Sequence, residues 1–149
     1  MFLGYWNRDA ATREKFLGNW WRSGDMGYRD SDGYLWFVGR GDDVISSAGY
    51  RIGPGEIEDC LLKHSAVAQA AAIGSPDALR GEIVKAFIVL AHGYEASNGL
   101  REDIQNTVRD KLAAYEYPRE IEFVEELPMT TTGKVRRVEL REAERSRKR

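Results

Sequence analysis

Glu82-Ile83-Val84-Lys85-Ala86-Phe87-Ile88-Val89-Leu90 is a nearly unbroken apolar run, short and rich in β-branched residues. That composition predicts a strand covered on at least one face. Val67 to Ile73, just upstream, has the same character, so two neighbouring strands are expected. Earlier still, Pro54 opens a helix, because its fixed φ and missing N–H suit the first helical position. Ile57, Leu61 and Leu62 then fall on one face. Downstream, Ser97 or Asn98 can cap a helix in which Leu100, Ile104, Val108 and Leu112 recur every four residues. Ile121 to Val124 reads as a short strand and Val138 to the chain end as a polar helix. The order over residues 44–149 is helix, strand, strand, helix, strand, helix. It predicts an α+β domain with a short mixed or antiparallel sheet flanked by helices.

Residues 1–38 differ. They hold all four tryptophans, Trp6, Trp20, Trp21 and Trp36. Asp9 to Phe16 reads as a short helix with Asn7 as N-cap. Asp32-Gly33 between Met26–Arg29 and Tyr34–Val38 predicts a β-hairpin, since glycine tolerates the positive φ of a tight turn. Apolar residues are too few to close a core, so this segment reads as the tail of something larger. Trp20 and Trp21 are expected to be packing residues.

The whole chain has 149 residues, enough for one real core. Twenty-two basic against 24 acidic side chains leave a formal charge of −2, which argues against a dedicated nucleic-acid binder. The single cysteine, Cys60, excludes an intrachain disulfide framework and permits a reducing compartment. Its spacing from Ile57 makes it a core or boundary residue. No run approaches the roughly 18 apolar residues of a membrane span. Met1 to Trp6 lacks the character of a leader, so a cytoplasmic location is expected. Lys134 to Arg149 carries eight basic and three acidic residues, read as a solvated helix face in preference to a nucleic-acid or membrane contact. Neither His64 nor His92 has a partner at metal-ligand spacing, and no metal site is expected.

Chemistry must come from two glycine-bearing stretches. Thr130-Thr131-Thr132-Gly133-Lys134 is a polar loop presenting one ammonium, suited to phosphate or carboxylate oxygens. It is no P-loop, because Pro128 stands where the first glycine should be and Val135 follows the lysine. Gly39-Arg40-Gly41-Asp42-Asp43 and Ser46 to Arg51 place two arginines on flexible backbone, where guanidinium forks match phosphate oxygens. Asp25 follows Gly24 and can accept two hydrogen bonds at once, as from a ribose diol. For each stretch taken alone, a plain surface turn is the competing explanation.

In order, Arg22-Ser23-Gly24-Asp25, Asp32-Gly33-Tyr34, Gly39 to Ile45, Gly49 to Glu58 and Thr132 to Arg137 form one series. It resembles the C-terminal third of the adenylate-forming enzymes: acyl-CoA synthetases, peptide-synthetase adenylation domains and luciferases. Ser47 to Pro54 and Arg80 to Phe87 look most like the medium-chain acyl-CoA and benzoate-type ligases. The resemblance implies a small lid domain, residues 44–149, behind a hinge at 39–43, with residues 1–38 as the tail of a large N-terminal domain. It implies Asp25, Arg40 and Arg51 as nucleotide-binding, Asp42 as the hinge, and Ala48, Gly49 and Tyr50 as lining the CoA channel. Lys134 would be the catalytic lysine between acyl carboxylate and α-phosphate. Tyr115 to Pro118 matches a short family segment before the last strand. ATP and its product AMP, CoA and a carboxylic acid are the implied small molecules, with Mg²⁺ held by the large domain. The chain would be a fragment, inactive alone. A carrier-loading adenylation domain and a non-catalytic binding module are the alternatives.

Overall fold

The computed structural model describes residues 3–148, which form two compact units dividing between Asp42 and Asp43. Met1 and Phe2, from the stretch read for a leader, and Arg149 of the basic tail lie outside the described residues.

The first unit contains α1 (Asp9–Glu14), β1 (Phe16–Leu17), β2 (Trp20–Trp21), β3 (Asp25–Arg29) and β4 (Leu35–Arg40). Among the described residues β1 pairs only with β2, and β3 only with β4, both antiparallel. The expected hairpin is β3–β4, with Gly33 at φ +90 in its turn. The turn closes on Asp30, unremarked in the sequence. Its Oδ1 accepts from the amides of Asp32 and Tyr34, and its Oδ2 from the Trp36 indole at 2.6 Å. The Trp36 hydrogen bond, with help from the turn amides, holds the Asp30 carboxyl below its ordinary value. Three expectations fail. Arg8, not Asn7, occupies the N-cap of α1, and Asn7 sits at φ +52 as a turn residue. The helix stops at Glu14 because Phe16 is drawn into pairing with Trp21. No described residue of this unit is buried, and Trp20 and Trp21 are exposed instead of packed.

The second unit contains β5 (Ile45–Ser47), β6 (Tyr50–Ile52), α2 (Pro54–Leu61), β7 (Val67–Asp77), β8 (Gly81–Leu90), α3 (Asn98–Lys111), β9 (Glu120–Phe123) and α4 (Arg137–Arg147). The mixed sheet runs β6-β5-β8-β7, with β9 parallel to β8. β7 and β8 pair antiparallel from Val67↔Leu90 to Asp77↔Gly81. Side chains alternate across a strand, and β8 uses both faces. Val84, Ala86 and Ile88 meet Ile57 and Leu61 of α2 and Ile104 and Val108 of α3. Phe87 joins Ala71, Ile73 and Leu140 of α4 on the other side. Leu62 departs from expectation, half-exposed just beyond α2, whereas Cys60 is buried. Ser97 is the cap of α3, its hydroxyl accepting from the Leu100 amide. Among the described residues no helix is long and apolar enough to cross a membrane.

One buried lysine interrupts β8. Lys85 Nζ meets Glu144 Oε2 at 2.7 Å and Glu122 Oε2 at 2.9 Å, and the Ser75 hydroxyl donates to Glu144 Oε1. Burial opposes all three charges, but their mutual hydrogen bonds outweigh it. The Lys85 pKa is raised and those of Glu122 and Glu144 are lowered. This cluster fastens α4 to the sheet.

Candidate functional site

Lys134 stands in the connection between β9 and α4. The Thr130 amide donates to the Lys134 carbonyl at 2.8 Å, and the Thr130 hydroxyl accepts from the Lys134 amide at 3.0 Å. Gly133, at φ +77, returns its amide to the Thr130 carbonyl. Met129 bridges Val135, and the Arg136 amide reaches the Pro128 carbonyl. The threonine–glycine stretch is therefore a tight, internally bonded turn, and the exposed Lys134 side chain extends from it into solvent. Such a turn fixes the backbone that carries the cation.

Ala48 and Gly49 form the turn of the β5–β6 hairpin, at φ +49 and +88. Both central residues are left-handed, as a type I′ turn requires. A Cβ on Gly49 would meet nothing within 4 Å, so backbone conformation and open approach, not crowding, account for glycine there. The Ala48 amide donates to the Arg80 carbonyl, fixing the turn to the start of β8. Tyr50 stacks on Tyr115, with ring centroids 4.1 Å apart and planes within 8°. Ala48, Tyr50, Arg80, Tyr115 and Arg119 line a cleft of about 260 Å³. A stacked aromatic wall with two guanidinium-bearing side chains at its border suits a phosphate-bearing aromatic ligand. Arg51 follows on β6, opposite Ser46, and is exposed.

Asp25, Arg40 and Asp42 come together in the first unit. Asp25 and Arg40 are register partners across β3–β4. Arg40 Nη1 lies 3.6 Å from Asp25 Oδ1, and its Nε lies 3.3 Å from Asp42 Oδ1. These are half-exposed contacts, each of the class worth about 0–1 kcal/mol, so ligand can replace them readily. Beside them Lys15, Arg22 and Gly24 border a smaller cleft of about 180 Å³.

The predicted residues thus fall into three groups: Asp25, Arg40 and Asp42; Ala48, Gly49, Tyr50 and Arg51; and Lys134 alone on its turn. Arg80 and Tyr115 were visible only as motif residues and Arg119 not at all, because their convergence depends on β8 starting beside the hairpin. A network around Arg137 had no signal in spacing at all. Arg137 binds Glu58 through Nε at 3.0 Å and Nη2 at 2.6 Å, with Nη1 3.4 Å from Asp43. Among the described residues no three His, Cys, Asp or Glu side chains converge to hold a metal.

A mixed sheet flanked by helices, with a lysine-bearing turn before the last helix, defines a small α+β domain. The chain belongs to the family of AMP-binding enzyme C-terminal domains, whose model matches residues 56–134. It is 50% identical over 146 residues to acyl-coenzyme A synthetase ACSM3, mitochondrial, of Rattus norvegicus, covering 97% of this chain and 25% of that protein. It is 49% identical over 148 residues to 4-hydroxybutyrate–CoA ligase 1 of Metallosphaera sedula, covering 99% of this chain and 26% of that protein. The crystal structure of the anthranilate CoA ligase AuaEII in complex with anthranoyl-AMP superimposes with a TM-score of 0.83 at 43% identity, over 95% of this chain and 28% of that one. The chain spans about a quarter of the length of these relatives. The resemblance carried by the motif series is borne out, and so is the α+β fold with its small sheets and flanking helices.

Proposed function

We propose that this chain supplies the mobile lid of an AMP-forming acid–thiol ligase, which activates a carboxylic acid with ATP and passes the acyl group to CoA. One observation carries this reading: a single small unit carries both a bonded lysine turn and an open glycine hairpin. Lys134 extends from a bonded turn ahead of α4, and Gly49 caps an open hairpin beside a cleft bordered by Arg80 and Arg119.

In the first half-reaction, a carboxylate oxygen attacks the α-phosphorus of ATP and pyrophosphate leaves. Two anions must approach, and Lys134 offsets their repulsion from a position fixed beforehand, so little reorganisation accompanies the charge transfer. Asp25 accepts the ribose hydroxyls, displacing its weak contact with Arg40, and Arg40 turns to the nucleotide. The lid then rotates about Asp42, within the joint at residues 39–43. Lys134 departs and the Ala48–Gly49–Tyr50 turn arrives with Arg51 near the phosphate. The pantetheine arm passes Gly49, where no side chain protrudes, and the CoA phosphates lie against Arg80 and Arg119. The thiol sulfur attacks the acyl carbon and AMP leaves. One domain serves two transition states by gating. The acid pocket and the ligands of ATP-bound Mg²⁺ belong to the large domain, whose tail is residues 1–38. The acid is medium-chain or aromatic in this reading. The single buried thiol suits a reducing compartment.

A domain exchange tests this. The matching quarter of rat ACSM3 is replaced by this chain, and acyl-CoA formation is followed with ATP, CoA and medium-chain or aromatic acids. The hybrid is expected to form acyl-CoA, whereas this chain alone and the shortened relative form none. A folded, ATP-binding hybrid that makes neither acyl-adenylate nor acyl-CoA would remove the proposal.

A further inference from the structure

The two places where the lid must be controlled, the joint and the lysine turn, are connected by an ion network in the second unit. Asp43 is the residue after the proposed hinge, Asp42. Its Oδ1 accepts from Arg141 Nη1 at 2.5 Å, and its Oδ2 faces Arg137 Nη1 at 3.4 Å. Arg137 also holds Glu58 of α2 through a two-pronged contact, and Glu58 Oε1 accepts the Ala72 amide of β7 at 2.8 Å. The Asp43, Glu58 and Arg141 side chains are each less than 15% exposed, and Arg137 is 23% exposed. These are not loose surface pairs. Arg137 is the first residue of α4, three positions after Lys134, and the Arg136 amide next to it closes the lysine turn on Pro128.

We infer that Arg137 is a positioning residue for Lys134: it clamps the base of the lysine turn to the first residue after the hinge and to α2. This rests on the role of Lys134 proposed above. Rotation about Asp42 displaces Asp43 directly. With Arg137 in place the turn has no freedom to lag, so Lys134 enters and leaves the reaction centre with the domain. A guanidinium suits the task because its planar fork satisfies Glu58 with two donors and reaches Asp43 with a third, which an ammonium cannot do. Arg137 itself touches no substrate. Its loss is felt through misplacement of Lys134, and a displacement near 1 Å can cost about 10²-fold in rate. The CoA-accepting turn at Ala48–Gly49 has its own fastening, through the Arg80 carbonyl at the start of β8.

The test has two arms. In the ACSM3 hybrid, Arg137→Ala is expected to slow acyl-adenylate formation by about 10²-fold while supplied acyl-adenylate still reacts with CoA at a rate within about twofold. Arg137→Lys should fall between, and Glu58→Gln, which keeps an acceptor for the Ala72 amide, should weaken adenylation in the same sense without unfolding the domain. Lys134→Ala runs alongside. In the 149-residue chain, hydrogen exchange should show the Gly133 and Lys134 amides opening about tenfold faster in Arg137→Ala, with the β8 amides unchanged. Equal slowing of both half-reactions, or unchanged exchange in the lysine turn, would overturn the clamp. If Lys134→Ala left adenylation intact, the function proposed above would fall, and the exchange arm would still decide for or against the clamp.

Discussion

Glu144 shows what a single side chain contributes here. It is 2% exposed and serves Lys85 and Ser75 at once. Glu144→Gln leaves Lys85 with Glu122 at 2.9 Å and the more distant Glu120 at 3.9 Å, and breaking a buried pair in this way costs about 3 kcal/mol. A urea titration should show that loss as a lowered midpoint with unchanged slope. The same cluster dictates a pH profile. Glu122 and Glu144 titrate below their ordinary 4.5 in the folded chain, so the unfolded chain binds more protons as acid is added. Their stabilisation is whole above the ordinary carboxylate value and drains as pH falls through the lowered folded values. Lys85, held above its ordinary 10.5, keeps its contribution below that value and loses it only as pH rises through the folded one. Stability should therefore be nearly flat from about pH 6 to pH 9 and fall on the acid side, with a shallower acid limb in Glu144→Gln. An acid limb of equal depth in both proteins would dissociate the cluster from acid unfolding.

Among elements, the β5–β6 hairpin separates what was legible from what was not. β7, β8, α2, α3, β9 and α4 announced themselves through apolar periodicity, a helix-opening proline and a capping serine. Each depends on several residues acting alike. The hairpin has three residues per strand, too few for a period, and its turn is Ala48-Gly49 in place of the Asn-Gly or Asp-Gly that signals a type I′ turn. Ser46 to Arg51 accordingly read as a loop. The site suffered similarly: the motif residues were visible, but the cleft at Arg80 and Arg119 and the ion network of Arg137 arise from strands, helices and loops meeting across long sequence separations. The hairpin yields a prediction of its own. Alanine at φ +49 is strained, and asparagine tolerates that region, so Ala48→Asn should raise stability by roughly 0.5–1 kcal/mol. Gly49→Ala, at φ +88, should lower it by about 1 kcal/mol or more. Thermal unfolding reads both, and the opposite signs would contradict the type I′ assignment.

For the molecule as a whole, the contrast between the units matters most. The second closes a core on both faces of its sheet; the first buries no described residue and keeps Leu3, Trp6, Trp20 and Leu35 largely exposed. Brief proteolysis of the chain should cut on the N-terminal side of Asp43 and leave a resistant core ending in α4; protection extending evenly back into β3–β4 would contradict that division. The proposed function depends on the same asymmetry, since a self-sufficient unit can turn as a body while its own contacts stay intact. The direct measurement is to time the two half-reactions separately in the ACSM3 hybrid carrying Lys134→Ala or Gly49→Leu. Pyrophosphate exchange reports adenylation, and single turnover of preformed acyl-adenylate reports thioester formation. Lys134→Ala should slow adenylation by about 10²–10³ and spare thioester formation, and Gly49→Leu should do the reverse. Equal slowing of the same half-reaction by both substitutions would contradict a lid with two faces.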